Sequence, residues 1–210
     1  MTFGEMIREV KTEIKDANPN ILLSLPDYIN EALSWVTAEY TLPSLKKYST
    51  VNTVVSQAWL SMPTGFNGRL IYVGDSDGEI QIIDGGIQEL LRLHPALADV
   101  GSVTEVAIEN STLWYQAIPA TATTLYVVYR EDPDELVNST DTPTCLPTYL
   151  HRGILVNKAC ALAYSVIEEG ITGDKTNTMF YEGKVQQSIA QLNKWISQRR
   201  SNVSHSIWDV

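Results

Sequence analysis

The chain has 210 residues, 44% of them hydrophobic, and its 25 acidic and 15 basic residues give a formal net charge of −10. This composition is typical of a globular protein of one domain or of two closely joined ones. The negative charge argues against a surface that neutralises phosphates, and no apolar run approaches the length of a membrane span.

The first part of the chain carries a helical pattern. Thr2 followed by Glu5 is a capping-box pattern, and apolar residues then recur at three- and four-residue steps until Pro19 ends the first predicted helix. A second helix is predicted to begin at Pro26, because proline suits the first helical turn, and to stop at Pro43.

After Lys47 the periodicity changes from helical to alternating. About six short segments rich in Val, Ile, Thr and aromatic residues follow, each bounded by turn-forming residues, which is typical of strands. The first of them is "STVNTVVSQAWLSMP", residues 49–63. The spacers "GDSDG" and "ENST" predict tight hairpin turns. The stretch "GGIQELLRLHPALADVG" predicts a short helix or turn that covers one end of the sheet.

The helical pattern then returns. Pro147 is predicted to start a long helix that ends at Gly170, and apolar residues over most of its circumference are typical of the centre of a bundle. Glu168 and Glu169 lie about 100° apart on this helix and are expected at a solvated end. A last helix is predicted over Thr176 to Arg200, with a basic end that complements the helix dipole.

The motif Leu-Pro-x-Tyr occurs at residues 25–28 and again at 146–149, and both copies mark a predicted helix start. Two helices before the strands and two after them predict one shared bundle. The predicted fold is therefore α+β, a four-helix bundle with an inserted antiparallel β-sandwich or half-barrel of about six strands. We assign residues 1–47 and 137–210 to the bundle and residues 48–136 to the β domain.

The sequence shows no catalytic or metal-binding motif. Cys145 and Cys160 belong to no CxxC pair or Cys/His cluster and are predicted to be reduced thiols. The histidines His94, His151 and His205 stand alone, without the close spacing of zinc ligands. No serine lies in a GxSxG elbow, and no phosphate-binding loop is present. We expect a protein that is not an enzyme and has no cofactor; a hydrolase with dispersed catalytic residues is a remote alternative.

Aromatic residues of the strands have two interpretations. Trp114, Tyr115, Tyr126 and Tyr129 could form a platform for a carbohydrate, or alternation along the strands could place them in the core. The core interpretation is favoured. The platform interpretation gives an alternative function, a carbohydrate-binding β-sandwich module on a helical stalk that decorates a tail or capsid.

The C-terminal segment, residues 201–210, is mostly polar but ends with apolar side chains. His205, Ile207, Trp208 and Val210 are its candidate binding residues, because a solvated tail has little reason to carry large apolar groups. The segment either packs back on its own bundle or forms an arm that docks on a neighbouring subunit or a partner. The sequence leaves both interpretations open.

Several short motifs, taken in order, resemble one protein family. They are "LPDYINEALSWVTAEYTLP" (25–43), "MPTGF" (62–66), "LLRLHP" (90–95), "LWYQAIP" (113–119), "LYVVYREDPDEL" (125–136) and "TPTCLPTYLHRGILVNKACALAYSVIEEG" (142–170). With the Val/Thr-rich strands among them, this order resembles the head-to-tail connector, or tail-adaptor, proteins of tailed bacteriophages. The segment "VTEVAIEN" departs from the pattern, since a tyrosine is expected there.

The resemblance implies a structural virion protein of the neck, assembled in the host cytoplasm. Such proteins form a homo-oligomeric ring, expected to be a dodecamer, between the portal protein and the next tail protein, the nozzle or tube. The ring extends the DNA channel used in viral genome packaging, and double-stranded DNA passes without specific binding. The resemblance also implies that the C-terminal segment grips the portal, which makes His205, Ile207, Trp208 and Val210 the expected portal-binding residues.

Overall fold

The computed structural model describes residues 1–15, 18–169 and 175–203. Over these residues the protein is a mixed α+β structure in which helices flank the strands in the sequence. None of the helices in these ranges combines the length and the apolar character needed to cross a bilayer.

The chain divides into two units, each with its own internal contacts. The helical unit is built from residues 1–44 and 133–210, and the β unit is the intervening segment 45–132. Since the helical unit consists of two chain segments, the fold of its first helices is completed only by residues that follow the β unit.

The first helix of the helical unit has the predicted start. α1 spans Phe3–Ile14, and the capping box is confirmed, because the Thr2 hydroxyl accepts from the Glu5 amide while the Glu5 carboxylate accepts from the Thr2 amide. These two bonds satisfy amide groups that have no partner within the helix. The start of α1 is therefore fixed by local sequence.

Two further helices follow in the first segment. α2 spans Pro19–Leu23 and is capped by the Asn18 side chain, and α3 spans Leu25–Glu39 with Pro26 in its first turn, as predicted. The prediction for Pro19 was incomplete. This proline ends the pattern of α1, but it also begins the short helix α2, where its missing amide hydrogen costs nothing.

The long helix predicted from Pro147 is divided in the structure. α5 spans Thr148–Leu150, a π-helical segment spans His151–Val156, and α6 spans Asn157–Glu169. The last helix, α7, spans Thr176–Val203 and begins at the predicted residue. The π-helical segment is a feature that the apolar periodicity does not predict.

The long helices of the helical unit pack on one another. α6 contacts α1, α3 and α7, and α1 contacts α3. The π-helical segment contacts the same three helices as α6. All of these elements contribute fully buried apolar side chains to the interior, among them Met6, Val10, Ile29, Leu33, Leu150, Ile154, Ala159, Ala163, Val185 and Leu192.

The β unit has seven strands among its residues, where about six were predicted, and they form two sheets. The sheets do not close into a barrel. One sheet is antiparallel in the order β1-β7-β3, and the other has the order β2-β6-β5-β4 with β4 parallel to β5. The strands are β1 Lys46–Asn52, β2 Trp59–Ser61, β3 Phe66–Gly74, β4 Gln81–Ile82, β5 Glu105–Glu109, β6 Thr112–Tyr115 and β7 Thr124–Glu131.

Both sheets contribute to a single core in the β unit, whose members include Leu60, Val73, Val106, Leu113, Tyr115, Leu125, Val127 and Tyr129. The helix α4, Gly86–Leu93, covers part of the second sheet through Leu90, which contacts Ile83 and Ala107. The short helix predicted in "GGIQELLRLHPALADVG" is therefore present, and it packs on a sheet.

Candidate functional site

The residues predicted to bind the portal lie outside the part of the chain that the structure describes. These residues are His205, Ile207, Trp208 and Val210. α7 continues to Val203, so the first three residues of the segment 201–210 belong to this helix. Among the described residues, the candidate binding surfaces are formed by exposed apolar, aromatic and charged side chains.

The two cysteines are buried in the helical unit and are not disulfide-bonded. Burial raises the pKa of Cys145 to about 11 and that of Cys160 to about 12. Both thiols are thus protonated at neutral pH, and a protonated, buried thiol is a poor nucleophile. Cys160 acts as the small buried hydrophobe that the sequence predicts.

The histidines of the described residues have structural contacts. Nε2 of His94 lies 2.8 Å from a carboxylate oxygen of Glu105. His151 is fully buried, and its Nε2 donates to the Leu146 carbonyl over 3.1 Å. Burial lowers the pKa of His151, so the ring is neutral at pH 7. The described residues contain no group of three or more His, Cys, Asp or Glu side chains that could hold a metal ion.

Glu168 corrects one expectation from the sequence. Instead of lying in solvent, its carboxylate is buried and accepts hydrogen bonds from the Asn177 amide at 2.8 Å, the Thr178 amide at 3.1 Å and the Thr178 hydroxyl at 2.7 Å. Although burial opposes the effect, these bonds lower the pKa of Glu168. The ionised carboxylate thus caps the start of α7 and faces the positive end of its dipole.

Large apolar side chains lie exposed near this capped end of α7. Met179 is 72% exposed and Phe180 is 56% exposed, and both follow directly after the residues that Glu168 caps. The Lys184 ammonium group lies over the rings of Phe180 and Tyr181, at 4.4 Å and 4.6 Å from their centroids. An exposed cluster of this kind, rimmed by a charge, is typical of a surface that another protein covers.

The helical unit also carries surfaces of opposite charge. Asp27 and Glu31 of α3, together with Asp134 and Glu135, line an open acidic cleft. The last turns of α7 expose Lys194 and Arg199, and the Arg199 guanidinium lies over the Trp195 ring at 5.3 Å. The helical unit can therefore offer a negative surface and a positive surface to different neighbours.

The aromatic residues of the strands divide between the core and the surface. Tyr115 and Tyr129 are buried in the core, and Trp114 is half-buried against the cluster beneath α4. Of the four candidates for a carbohydrate platform, only Tyr126 is exposed, at 37%. It stacks on Tyr48, with 6.4 Å between ring centroids.

Two exposed aromatic residues were not among the candidates predicted from the sequence. Tyr48 is 66% exposed on β1, and Trp59 is 40% exposed on β2 beside Trp114. Tyr48 was missed because the predicted strand began one residue later. A signal was present, since alternation along the strand puts Tyr48 and Thr50 on one face and Ser49 and Val51 on the other.

The comparison with protein families covers both units. The family model described as SU10 adaptor protein matches residues 1–207, almost the whole chain. No curated protein sequence matches the chain. The family match confirms the resemblance to tailed-phage adaptors that the ordered motifs indicated, and it reaches beyond the segment 24–170 that carries them. The chain belongs to the SU10 adaptor protein family, a family of phage adaptor proteins.

Proposed function

We propose that this protein is the subunit of a ring that joins the portal to the tail in the neck of a phage virion. The observation that carries the proposal is the family match over residues 1–207, which spans both units. A phage adaptor is a structural component of the virion and interacts with other virion proteins. The buried, protonated cysteines and the neutral His151 fit a structural role.

The helices α1, α3, α6 and α7 form, in this proposal, the bundle that builds the body of a dodecameric ring. A cyclic ring requires heterologous contacts, in which one surface of a subunit meets a different surface of its neighbour. The exposed pair Met179 and Phe180 supports such a contact. So do the acidic cleft beside α3 and the basic end of α7, because surfaces of opposite charge attract and orient neighbouring copies.

The channel of the ring would extend the path of the DNA during packaging and ejection. A formal charge of −10 supports this role, because an acidic lumen repels phosphates and lets the duplex pass without being held. The β unit would then face the next tail protein or the outer surface, away from the portal.

We also propose that residues 204–210 bind the portal through His205, Ile207, Trp208 and Val210. The support is their composition, since Ile, Trp and Val close a polar segment that follows a helix with a basic end. An arm of this kind gains affinity when its apolar side chains enter pockets of the partner.

The test mixes purified full-length protein with the portal ring of the same phage and measures co-sedimentation and electron-microscope images. We expect a ring of defined stoichiometry beneath the portal. Deletion of residues 204–210, which leaves α7 whole, should abolish co-sedimentation. A control variant in which a Gly/Ser segment of equal length replaces these residues should also fail to bind. If residues 204–210 acted only as a tether, this control variant would still bind the portal.

Two results would contradict the proposal in different ways. Full-length protein that forms no ring with the portal would remove the assignment as a ring subunit. Rings that form equally well with the truncated protein would remove only the assignment of the C-terminal residues. The carbohydrate-binding alternative is not favoured, because Tyr115 and Tyr129 are buried and Trp114 packs against the cluster beneath α4.

A further inference from the structure

One edge of the three-stranded sheet has no neighbouring strand. β1 pairs with β7 on one side only. Thr53 and Thr123 continue the register of β1 and β7, and the Thr53 amide donates to the Thr123 carbonyl. In an antiparallel pair the backbone groups of every second residue face the partner strand. The amide and carbonyl groups of the four β1 residues between them therefore face the open edge. In the part of the chain that the structure describes, no backbone hydrogen bond from another segment reaches these groups; they belong to Lys46, Tyr48, Thr50 and Asn52.

The other edges of the two sheets are short or irregular. β2 has three residues and β4 has two. β3, the opposite edge of the same sheet, has register shifts on both sides of Leu70 and a left-handed glycine, Gly68, with φ +85°. Proteins protect exposed edges by such means, because a long regular edge invites another strand to pair. β1 is seven residues long and has no bulge, proline or glycine.

Side chains on both faces of β1 define what an added strand would contact. On the outer face, Tyr48 is exposed and stacks on Tyr126 of β7. On the inner face, Val51 packs against the core of the β unit. Since residues opposite each other in a sheet are neighbours on the same face, an added strand would gain from an apolar side chain beside Tyr48 and from another beside Val51.

The charge of this edge differs from that of the whole chain. β1 contains two basic residues and no acidic one, in a chain with 25 acidic residues. Lys47 is ion-paired with Glu131 of β7 at 2.9 Å. Lys46 and Lys47 begin β1, and Lys46 lies opposite Arg130 of β7. An added segment with a carboxylate at this end would be attracted. A second copy of β1 would place lysines beside lysines in a parallel pair, and in an antiparallel pair it would bring no carboxylate to this end, because β1 contains no acidic residue.

We propose that β1 is a strand-addition site for an extended acidic segment of a partner protein. The segment pairs with the backbone of β1 over about seven residues, or roughly 23 Å, places apolar side chains beside Tyr48 and Val51, and places a carboxylate near Lys46. Backbone hydrogen bonds supply most of the affinity in this mode of recognition, and the alternate side chains supply the specificity. This site is distinct from the C-terminal residues proposed to bind the portal.

The experiment uses full-length, ¹⁵N-labelled protein and two synthetic peptides, Ac-EVVTYVS-NH₂ and Ac-SVYTVVE-NH₂. The first places Glu opposite Lys46, and Val opposite both Tyr48 and Val51, in a parallel strand; the second does so in an antiparallel strand. We expect one peptide to bind, with chemical-shift changes and slowed hydrogen exchange concentrated at Tyr48 and Thr50. The same peptide with Lys in place of Glu should bind at least about fivefold more weakly, and this ratio should shrink at high salt.

Variants of the protein then test the edge itself. Thr50→Pro removes a donor on the open edge without removing a ladder bond to β7, which edge strands tolerate, and we expect at least about tenfold weaker binding. Thr50→Ala retains the donor and should bind like the wild type. If Thr50→Pro does not fold, Lys46→Glu serves instead, and it should reverse the preference between the Glu and Lys peptides.

The proposal is overturned if neither peptide binds folded protein at millimolar concentration, or if Thr50→Pro and Thr50→Ala bind equally. It is also overturned if sedimentation shows that the wild type self-associates through this edge and that Thr50→Pro abolishes the association, because the occupant is then a second copy. The peptides are tested without portal, so none of these results bears on ring formation.

Discussion

The Tyr181 hydroxyl donates a 2.8 Å hydrogen bond to the Glu13 carboxylate and so joins α7 to α1 across 168 positions of the sequence. Arg152 lies 3.4 Å from the other oxygen of the same carboxylate. Tyr164 stacks on Tyr181 and donates to the Ile14 carbonyl at 3.1 Å. The hydrogen bond from Tyr181 lowers the pKa of Glu13. The end of α1 is thus held by polar contacts as well as by its buried apolar face.

Removing the Tyr181 hydroxyl should destabilise the helical unit. A hydrogen bond to a charged partner contributes about 1.5–3 kcal/mol, and one between neutral partners about 0.5–1.5 kcal/mol. We therefore expect Tyr181→Phe to lower the free energy of unfolding at pH 7 more than the matched control Tyr164→Phe, measured by urea denaturation. Equal losses would show that the charge of Glu13 adds nothing to this contact.

The contribution of the Tyr181–Glu13 hydrogen bond should also depend on pH, because Glu13 loses its charge in acid. Because the folded pKa of Glu13 is below its ordinary value of 4.5, its contribution is complete above that pH and is lost as the pH falls through the folded pKa. The difference in stability between wild type and Tyr181→Phe should then be constant from pH 7 to about 5 and shrink in stronger acid. A constant difference down to pH 3 would argue that the lost hydroxyl acts through packing.

His151 should make the stability of the protein depend on pH in a different range. Its ordinary pKa is 6.5, and burial lowers this pKa in the fold, where Nδ1 lies 3.2 Å from the Met1 amino group. Between the folded pKa and 6.5 the unfolded chain binds a proton that the folded ring does not, so stability falls as the pH falls. Above pH 6.5 the ring has no such effect.

We expect His151→Gln to flatten this dependence. Urea denaturation of the wild type from pH 7 to pH 5 should show a slope that is steeper by up to about 1.4 kcal/mol per pH unit than that of the variant. Glutamine can still donate to the Leu146 carbonyl, so the variant should fold. Parallel slopes in the two proteins would show that His151 retains its ordinary pKa.

Local chemistry explains which parts of the fold the sequence could predict. The capping box of Thr2 and Glu5 and the proline of α3 act within one helical turn, and both are where the pattern put them. The strand predicted over residues 49–63 was wrong in its middle. It splits into β1 and β2 in different sheets, with Ser56 between them at φ +64°, and a continuous Val/Thr pattern gives no sign of that break.

Long-range contacts decided what the sequence could not predict. Glu168 was expected in solvent, because only the folded chain brings the Asn177 and Thr178 amides to its carboxylate. The π-helical segment begins at His151, whose partner Leu146 lies in the loop before α5.

Gly153 marks a close approach between the π-helical segment and α7. A Cβ atom at this position would lie 3.0 Å from Cβ of Ser188 and closer still to its hydroxyl. Gly153→Ala should therefore lower the free energy of unfolding by about 1–3 kcal/mol through overpacking, measured by chemical denaturation. Gly183 is the matched control, since it has open space around it; Gly183→Ala should be neutral or stabilising.

A double-mutant cycle separates overpacking from backbone effects at this contact. If Gly153→Ala destabilises by crowding, then adding Ser188→Ala removes the hydroxyl and should recover part of the loss. Strictly additive effects would contradict the close approach. A Gly153→Ala variant as stable as the wild type would show that α7 can shift away at no cost.

Asn30 ties the chain segment that leaves the β unit to α3. Its side chain donates to the Leu136 carbonyl and accepts from the Leu136 amide, both at 3.0 Å. Replacement by leucine leaves both backbone groups of a buried residue without these partners, at about 1–3 kcal/mol for each group. Asn30→Leu should therefore lower the free energy of unfolding by about 2–6 kcal/mol. Asn30→Asp is the matched variant, because its protonated carboxyl can accept from the amide and donate to the carbonyl. The ionised form cannot donate and lies in the acidic cleft beside α3, so the loss of stability should be smaller below the carboxyl pKa. Hydrogen exchange at Leu136 should accelerate most in the leucine variant; exchange unchanged from the wild type would show that this pair does not anchor the segment.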